Sequence, residues 1–204
     1  MHLSNNPKND TKLVDLIITA IFSAISSVLM IFSFSLPFVP AFIKLDISEL
    51  PALIISFAVG PINGVLVELT KNIITMLFAG SDFIGHLSNF IINAPFVLIA
   101  GVIYKQKKTQ KIALLSLIIA TITMAIWGTI VNYFVLIPLY SLIMPIDTIL
   151  EMFKAIKPES NSLFELVFVT ILPFNLLKGT LVSCVTFLIY KKISPLIRNI
   201  HRQV

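Results

Sequence analysis

Six apolar runs, each bounded by polar or helix-breaking residues, organise the chain. The first covers 13–34, and Pro37 and Pro40 end it in a loop that reaches Asp46. A shorter run at 49–59 meets Gly60, Pro61, Asn63 and Gly64, a cluster that predicts a tight turn. The third run, 65–79, stops at Gly80, Ser81 and Asp82, so runs two and three predict a helical hairpin. Runs at 86–104, 112–137 and 163–190 complete the series. Crossing a bilayer takes about 20 helical residues, so the chain has room for six spans and short loops. The expectation is an all-α integral membrane protein with six transmembrane helices in one bundle. Its membrane domain would be 13–192, with outer loops at 35–48 and 138–162, a tail at 1–12 and a basic tail at 193–204.

Composition agrees, with 57% apolar and 12% charged residues and a mean hydropathy of +0.97, far from soluble averages. Charge sets the orientation. Of fifteen basic residues ten fall on one side of this topology: Lys8, Lys12, Lys105, Lys107, Lys108, Lys111, Lys191, Lys192, Arg198 and Arg202. The positive-inside rule makes that side, with both termini, cytoplasmic. The pI near 9.4 then reports topology, and no nucleic-acid surface is expected. Cys184 is the single cysteine, which excludes an internal disulfide and a cysteine metal cluster; it reads as inert packing.

Polar residues inside the apolar runs carry the functional signal. Glu68, Lys71 and Asn72 lie in run three, beside a short polar gate of Lys44, Asp46, Ser48 and Glu49. An ionisable group at bilayer depth costs roughly 2.5–3.5 kcal/mol on insertion scales, so it faces a protein interior or a cavity. Glu68 and Lys71, three residues apart, predict an internal ion pair. Asn132 lies near the outer end of run five, and Asn175 and Lys178 share a face of run six. Two amides and an ammonium suit the alternating carbonyl and N–H edge of a flat heterocycle. Trp127, Tyr133, Phe134 and Phe174 are candidate stacking surfaces. Either asparagine alone serves equally well as a hydrogen bond between helices. Lys178 has no carboxylate one turn away on its own run, so it is expected to serve a ligand, and its replacement by alanine to abolish binding without unfolding.

Other chemistry is missing. There is no G-x-x-x-x-G-K-[ST] loop and no H-E-x-x-H; Lys178-Gly179-Thr180 is not a phosphate loop, and His2, His86 and His201 are scattered. The reading is of a non-enzyme without metal or cofactor, and without the internal repeats of self-sufficient transporters. If it moves a solute, a partner supplies the energy. In the outer loop, Ile146, Ile149, Leu150, Phe153 and Ile156 recur at helical spacing opposite Asp147, Glu151, Lys154 and Lys157, which predicts an amphipathic helix. Two roles stay open for it, lying on the membrane or covering an outward pocket.

Several motifs taken together resemble a known family: K-L-D-I-S-E-L-P-A-L at 44–53, G-P-I-N-G-V at 60–65, V-E-L-T-K-N at 67–72, N-F-I at 89–91 and P-F-N-L-L-K-G at 173–179. They resemble the riboflavin-specific substrate-binding subunits of energy-coupling factor (ECF) transporters. The resemblance implies a multi-pass bacterial plasma-membrane protein that captures riboflavin from outside. Delivery would pass through a transmembrane coupling protein and two cytoplasmic ATPases. It implies that Asn132, Asn175 and Lys178 read the isoalloxazine edge while the loop 37–46 closes over the ligand, with Phe42, Lys44, Leu45 and Asp46 as contacts. It also implies that Ala20 and Ala24, a small-x-x-x-small step on the first run, dock the coupling protein. That step is equally a helix-packing motif, as is its neighbour Ser23 and Ser27. FMN is less favoured, because the expected pocket lacks arginine and only Lys44 near its mouth would meet a phosphate. A carrier for another vitamin, or a membrane scaffold that binds no small molecule, are the alternatives.

Overall fold

The computed structural model describes residues 7–202 apart from 38, 80, 81, 155 and 161. His2, Gly80 and Ser81, and the outermost residues of both expected tails, lie outside the described residues. The elements run α1 Pro7–Ile31, β1 Phe34–Ser35, β2 Lys44–Leu45, α2 Glu49–Ala58, α3 Pro61–Ala79, α4 Phe83–Gln106, α5 Gln110–Val131, a π-helical turn Asn132–Leu136, α6 Ile137–Tyr140, α7 Ile146–Lys154 and α8 Leu163–Arg202. The strands pair antiparallel, with Phe34 opposite Leu45 and Ser35 opposite Lys44, and form a small ribbon within a helical bundle.

Among the described residues, four stretches are long and apolar enough to cross a membrane: Thr11–Ile31, Phe83–Gln106, Gln110–Tyr140 and Leu163–Lys192. Helix α2 is not, because its 10 residues rise about 15 Å, half the thickness of a bilayer's hydrocarbon core. It is instead enclosed by protein. Residues Pro51 to Phe57 are all buried, and α2 touches α1, α3, α4 and α8. Hydrophobic burial and polar satisfaction therefore come from neighbouring helices, which is what lets a short helix sit at membrane depth.

Small residues permit that enclosure. Gly64 on α3 faces α2 and α4 so closely that an added Cβ would lie 2.6 Å from Ser56 Cβ, 2.7 Å from Val97 Cγ1 and 2.8 Å from the Ala52 carbonyl oxygen. The Ser56 hydroxyl donates to the Val97 carbonyl at 3.0 Å and ties α2 to α4. Toward the lysine-rich end, Phe57 stacks on Tyr104 at 4.3 Å and meets Tyr190 edge-on at 5.8 Å.

Trp127 has a role other than the stacking surface expected of it. Pro95 lies inside α4 and supplies no N–H, so the Ile91 carbonyl four residues earlier loses its helical donor. The Trp127 indole on α5 donates to that carbonyl at 3.0 Å. Phe134 points away from the interior, whereas Tyr133 is half-buried, packs against the outer core and meets Phe164 edge-on at 5.5 Å. Cys184 is exposed on the outer face of α8 rather than packed inside. The amphipathic segment forms α7, with Ile149 and Phe153 buried and Asp147 and Glu151 exposed, but Ile146 stays outside the buried face.

The close approach at Gly64 gives a test. Gly64→Ala overpacks three helices and should cost about 1–3 kcal/mol, lowering the thermal midpoint in detergent. Gly60→Ala, where the nearest atom to a new Cβ is 3.9 Å away, should leave the midpoint almost unchanged.

Candidate binding site

A cavity of about 240 Å³ opens among the ends of the helices, at the end of the bundle remote from the Lys105 to Lys111 turn. Its wall has three parts. The end of α1 and the ribbon supply Met30, Ile31, Ser33 and the segment from Phe42 to Lys44, with Asp46; α5, its π turn and α8 supply Met124, Asn132, Ile171, Phe174, Asn175 and Lys178. The third part, from α3 and α4, contributes Thr75, Asp82, Gly85, His86, Ser88, Asn89, Ile92 and Asn93.

Asn132 opens the π-helical turn, and its amide donates to the Gly128 carbonyl at 2.7 Å. A π turn inside an α-helix shifts the register of all that follows, a feature frequent at functional sites. Across from it, Asn175 packs against Gly128, where any Cβ would overlap the Asn175 amide. Among the described residues, Asn175 Nδ2 and Asn93 Oδ1 are buried without a hydrogen-bond partner. An orphaned donor and an orphaned acceptor in one cavity wall call for a ligand with both functions. Phe42 stacks on Tyr140 at 4.5 Å and meets Phe153 edge-on at 6.1 Å, which anchors the ribbon segment to the outer core.

Lys178 is the wall's buried cation, and its neutralising partners come from elsewhere in the chain. Its Nζ lies 3.0 Å from Asp46 Oδ2 and 2.9 Å from Glu49 Oε1. Glu49 Oε1 also receives Lys71 Nζ at 3.2 Å, and Lys71 pairs with Glu68 at 2.9 Å. The Glu68–Lys71 pair expected from their spacing is thus one end of a five-member chain of charge, Asp46–Lys178–Glu49–Lys71–Glu68, every member buried. Lys71 donates to the Ser48 hydroxyl and to Glu49 and forms an ion pair with Glu68, so three oxygens surround its ammonium. Lys178 has two acceptors, which leaves one N–H uncommitted in a cavity wall. Asp46 also accepts from the Ser48 N–H at 2.8 Å and from the Ser48 hydroxyl. Burial pushes its carboxyl up, but Lys178, Lys71 and Ser48 outweigh that and hold it at about 2, so it is ionised at neutral pH.

Of the residues chosen from sequence, the cavity brings together Asn132, Asn175, Lys178, Phe42, Lys44 and Asp46, and Phe174 with them. Leu45 is buried in the outer core and is not on the wall, because strand alternation turns it away from Lys44 and Asp46. The α3–α4 wall was missed. Its signal was present: Asp82, His86, Asn89 and Asn93 recur at helical spacing, a polar stripe along one face of an otherwise apolar helix. On α1, Ala20 and Ala24 are exposed, whereas Ser23 and Ser27 are buried and donate to the carbonyls four residues earlier. The two small-residue steps lie on adjoining faces of α1, the alanines exposed and the serines turned inward.

Residues 14–190 match the family model of the ECF transporter substrate-specific component. The chain belongs to this family. Its relatives include the riboflavin transporter RibU of Staphylococcus aureus (strain TCH60), 38% identical over 185 residues that cover 91% of this chain and 93% of the relative. The riboflavin transporter FmnP of Bacillus subtilis (strain 168) is 31% identical, over 92% of this chain and 96% of the relative. A solved structure of the S component of a bacterial ECF transporter superposes with a TM-score of 0.72 at 37% identity, covering 90% of this chain and 96% of that one. Membership makes the chain a substrate-binding membrane component of a transporter, and not an enzyme.

The buried charges change one expectation, since Lys178→Ala would strand two carboxylates and is now expected to destabilise the fold as well. Breaking a buried pair by removing one partner costs about 3–5 kcal/mol. Lys178→Ala and Asp46→Asn should each lower the thermal midpoint clearly, and the double variant should lose much less than the sum.

Proposed function

We propose that this chain captures riboflavin at the outer face of a bacterial plasma membrane. The observation that carries the proposal is the orphaned Asn175 donor and Asn93 acceptor beside the uncommitted Lys178 N–H, in a wall where Phe42, Phe174 and aliphatic side chains are joined by further polar groups such as Asn89, Asn132 and His86. An isoalloxazine ring offers the matching surface, with a broad apolar face and an edge of carbonyls and one N–H. Asn132, Asn175 and Lys178 read that edge. The segment 37–46, held by Phe42 on Tyr140, closes over the ligand. In this reading the bundle crosses the membrane six times, the α2–α3 hairpin contributing its two short members, and both termini are cytoplasmic.

Release into the cell requires partners, because the sequence has no nucleotide-binding loop. A transmembrane coupling protein docks on the outward face of α1 at Ala20 and Ala24, where small side chains allow close backbone approach, and two cytoplasmic ATPases drive the cycle. Charge in the cavity favours riboflavin over FMN. The wall's Lys44 and Lys178 face Asp46 and Asp82, and Lys178 is already neutralised, so a phosphate dianion finds little surplus positive charge.

The test is a titration of purified protein with riboflavin, read by quenching of flavin fluorescence. Saturation at one flavin per chain is expected, with FMN at least about tenfold weaker and Asn175→Ala weakening riboflavin about tenfold, the value of a buried hydrogen bond. Unchanged fluorescence would sink the assignment. Docking has a separate readout. Ala20→Leu with Ala24→Leu should preserve riboflavin affinity in detergent while abolishing riboflavin uptake by cells.

A further inference from the structure

The cavity wall ends at Lys178, but the control of that side chain lies behind it. We propose that Glu49 is a positioning residue for riboflavin recognition, aiming the one uncommitted N–H of Lys178 at a carbonyl of the flavin edge. The inference rests on the riboflavin reading above.

A lysine ammonium is a point charge on a flexible four-carbon stem with three equivalent donors, so by itself it selects no direction. Direction appears once two donors are engaged. Asp46 Oδ2 at 3.0 Å accepts one as a hydrogen bond, and Glu49 Oε1 at 2.9 Å draws the second side of the ammonium into an ion pair, from the loop before α2 and from its first residue. Asp46 is itself on the wall, whereas Glu49 is fully buried and off it. Glu49 thus acts on a ligand only through Lys178. It is also held in place, because the same Oε1 receives Lys71 at 3.2 Å, and Lys71 is fixed in turn by Glu68 and the Ser48 hydroxyl. The orientation of one wall donor is therefore set by α2 and α3.

Purified full-length protein is titrated with riboflavin and with its 2-thio and 4-thio analogues, in which one edge carbonyl becomes a poor acceptor. In the unaltered chain, the analogue whose sulfur faces Lys178 should bind about tenfold more weakly than riboflavin. Glu49→Gln should weaken riboflavin about tenfold and shrink the thio penalty to less than about threefold, because the aimed N–H is lost. Glu49→Asp keeps the network's charge while withdrawing the carboxylate by one methylene; it carries the test if Glu49→Gln does not fold, and should shrink the thio penalty in the same direction. A folded variant that loses affinity equally for all three flavins, its thio penalty intact, would overturn the proposal and leave Glu49 a purely structural group. Full affinity in both variants would overturn it as well. Failure of the unaltered chain to bind riboflavin is a different result, and removes the proposed function itself together with this inference.

Discussion

Three carboxylates and two ammonium groups, none with more than marginal exposure, hold this molecule together from the inside. Charges so placed have lost their water, and only mutual pairing makes their burial tolerable. That requirement fixes much of the architecture. Glu49 starts α2, Glu68 and Lys71 lie on α3, Lys178 on α8 and Asp46 in the loop after the ribbon, so one network specifies how four separate segments meet. Ser26 on α1 joins by donating to the Ser48 carbonyl. Apolar packing alone would not impose such register, because lipid and aliphatic side chains are nearly equivalent surroundings for a membrane helix.

The same network separates two lysines that look alike in sequence. Lys71 meets as many acceptors as it has donors, and is structural by that count. Lys178 falls one short, and its remaining N–H is available to the cavity. Sequence suggested the difference for the wrong reason, treating Lys178 as a charge without a neutralising partner. Its partners are more than a hundred residues away, and no local spacing reveals them.

The legible parts were those encoded by short-range pattern. Apolar runs located the middle of each long helix, although α1 starts six residues before its run and α8 continues twelve residues past its own into the expected tail; proline and glycine clusters located the turns, and polar intrusions located part of the cavity wall. What escaped was tertiary. The length of α2 could be read, but not that surrounding helices would shelter it. The π turn at Asn132 was not read from the sequence, although Pro138 just beyond it supplies no N–H to a continuing helix. Leu45 came with the loop that the family resemblance implied, and strand alternation sends it to the other side. The polar stripe of Asp82, His86, Asn89 and Asn93 is legible by periodicity, but nothing local separates its amides from hydrogen bonds between helices.

The bond between the Trp127 indole and the Ile91 carbonyl has a further consequence. It repairs a helix that Pro95 would otherwise leave with an unmet acceptor in a medium without water. It also fixes the orientation of the only tryptophan in the chain, between the residue next to Ile92 on one wall of the cavity and the turn before Asn132 on the other. Indole emission overlaps flavin absorption, so an occupied cavity would drain the excited state of Trp127 by resonance energy transfer. The molecule carries a built-in optical gauge of its own occupancy, rigidly mounted by the hydrogen bond that mends α4.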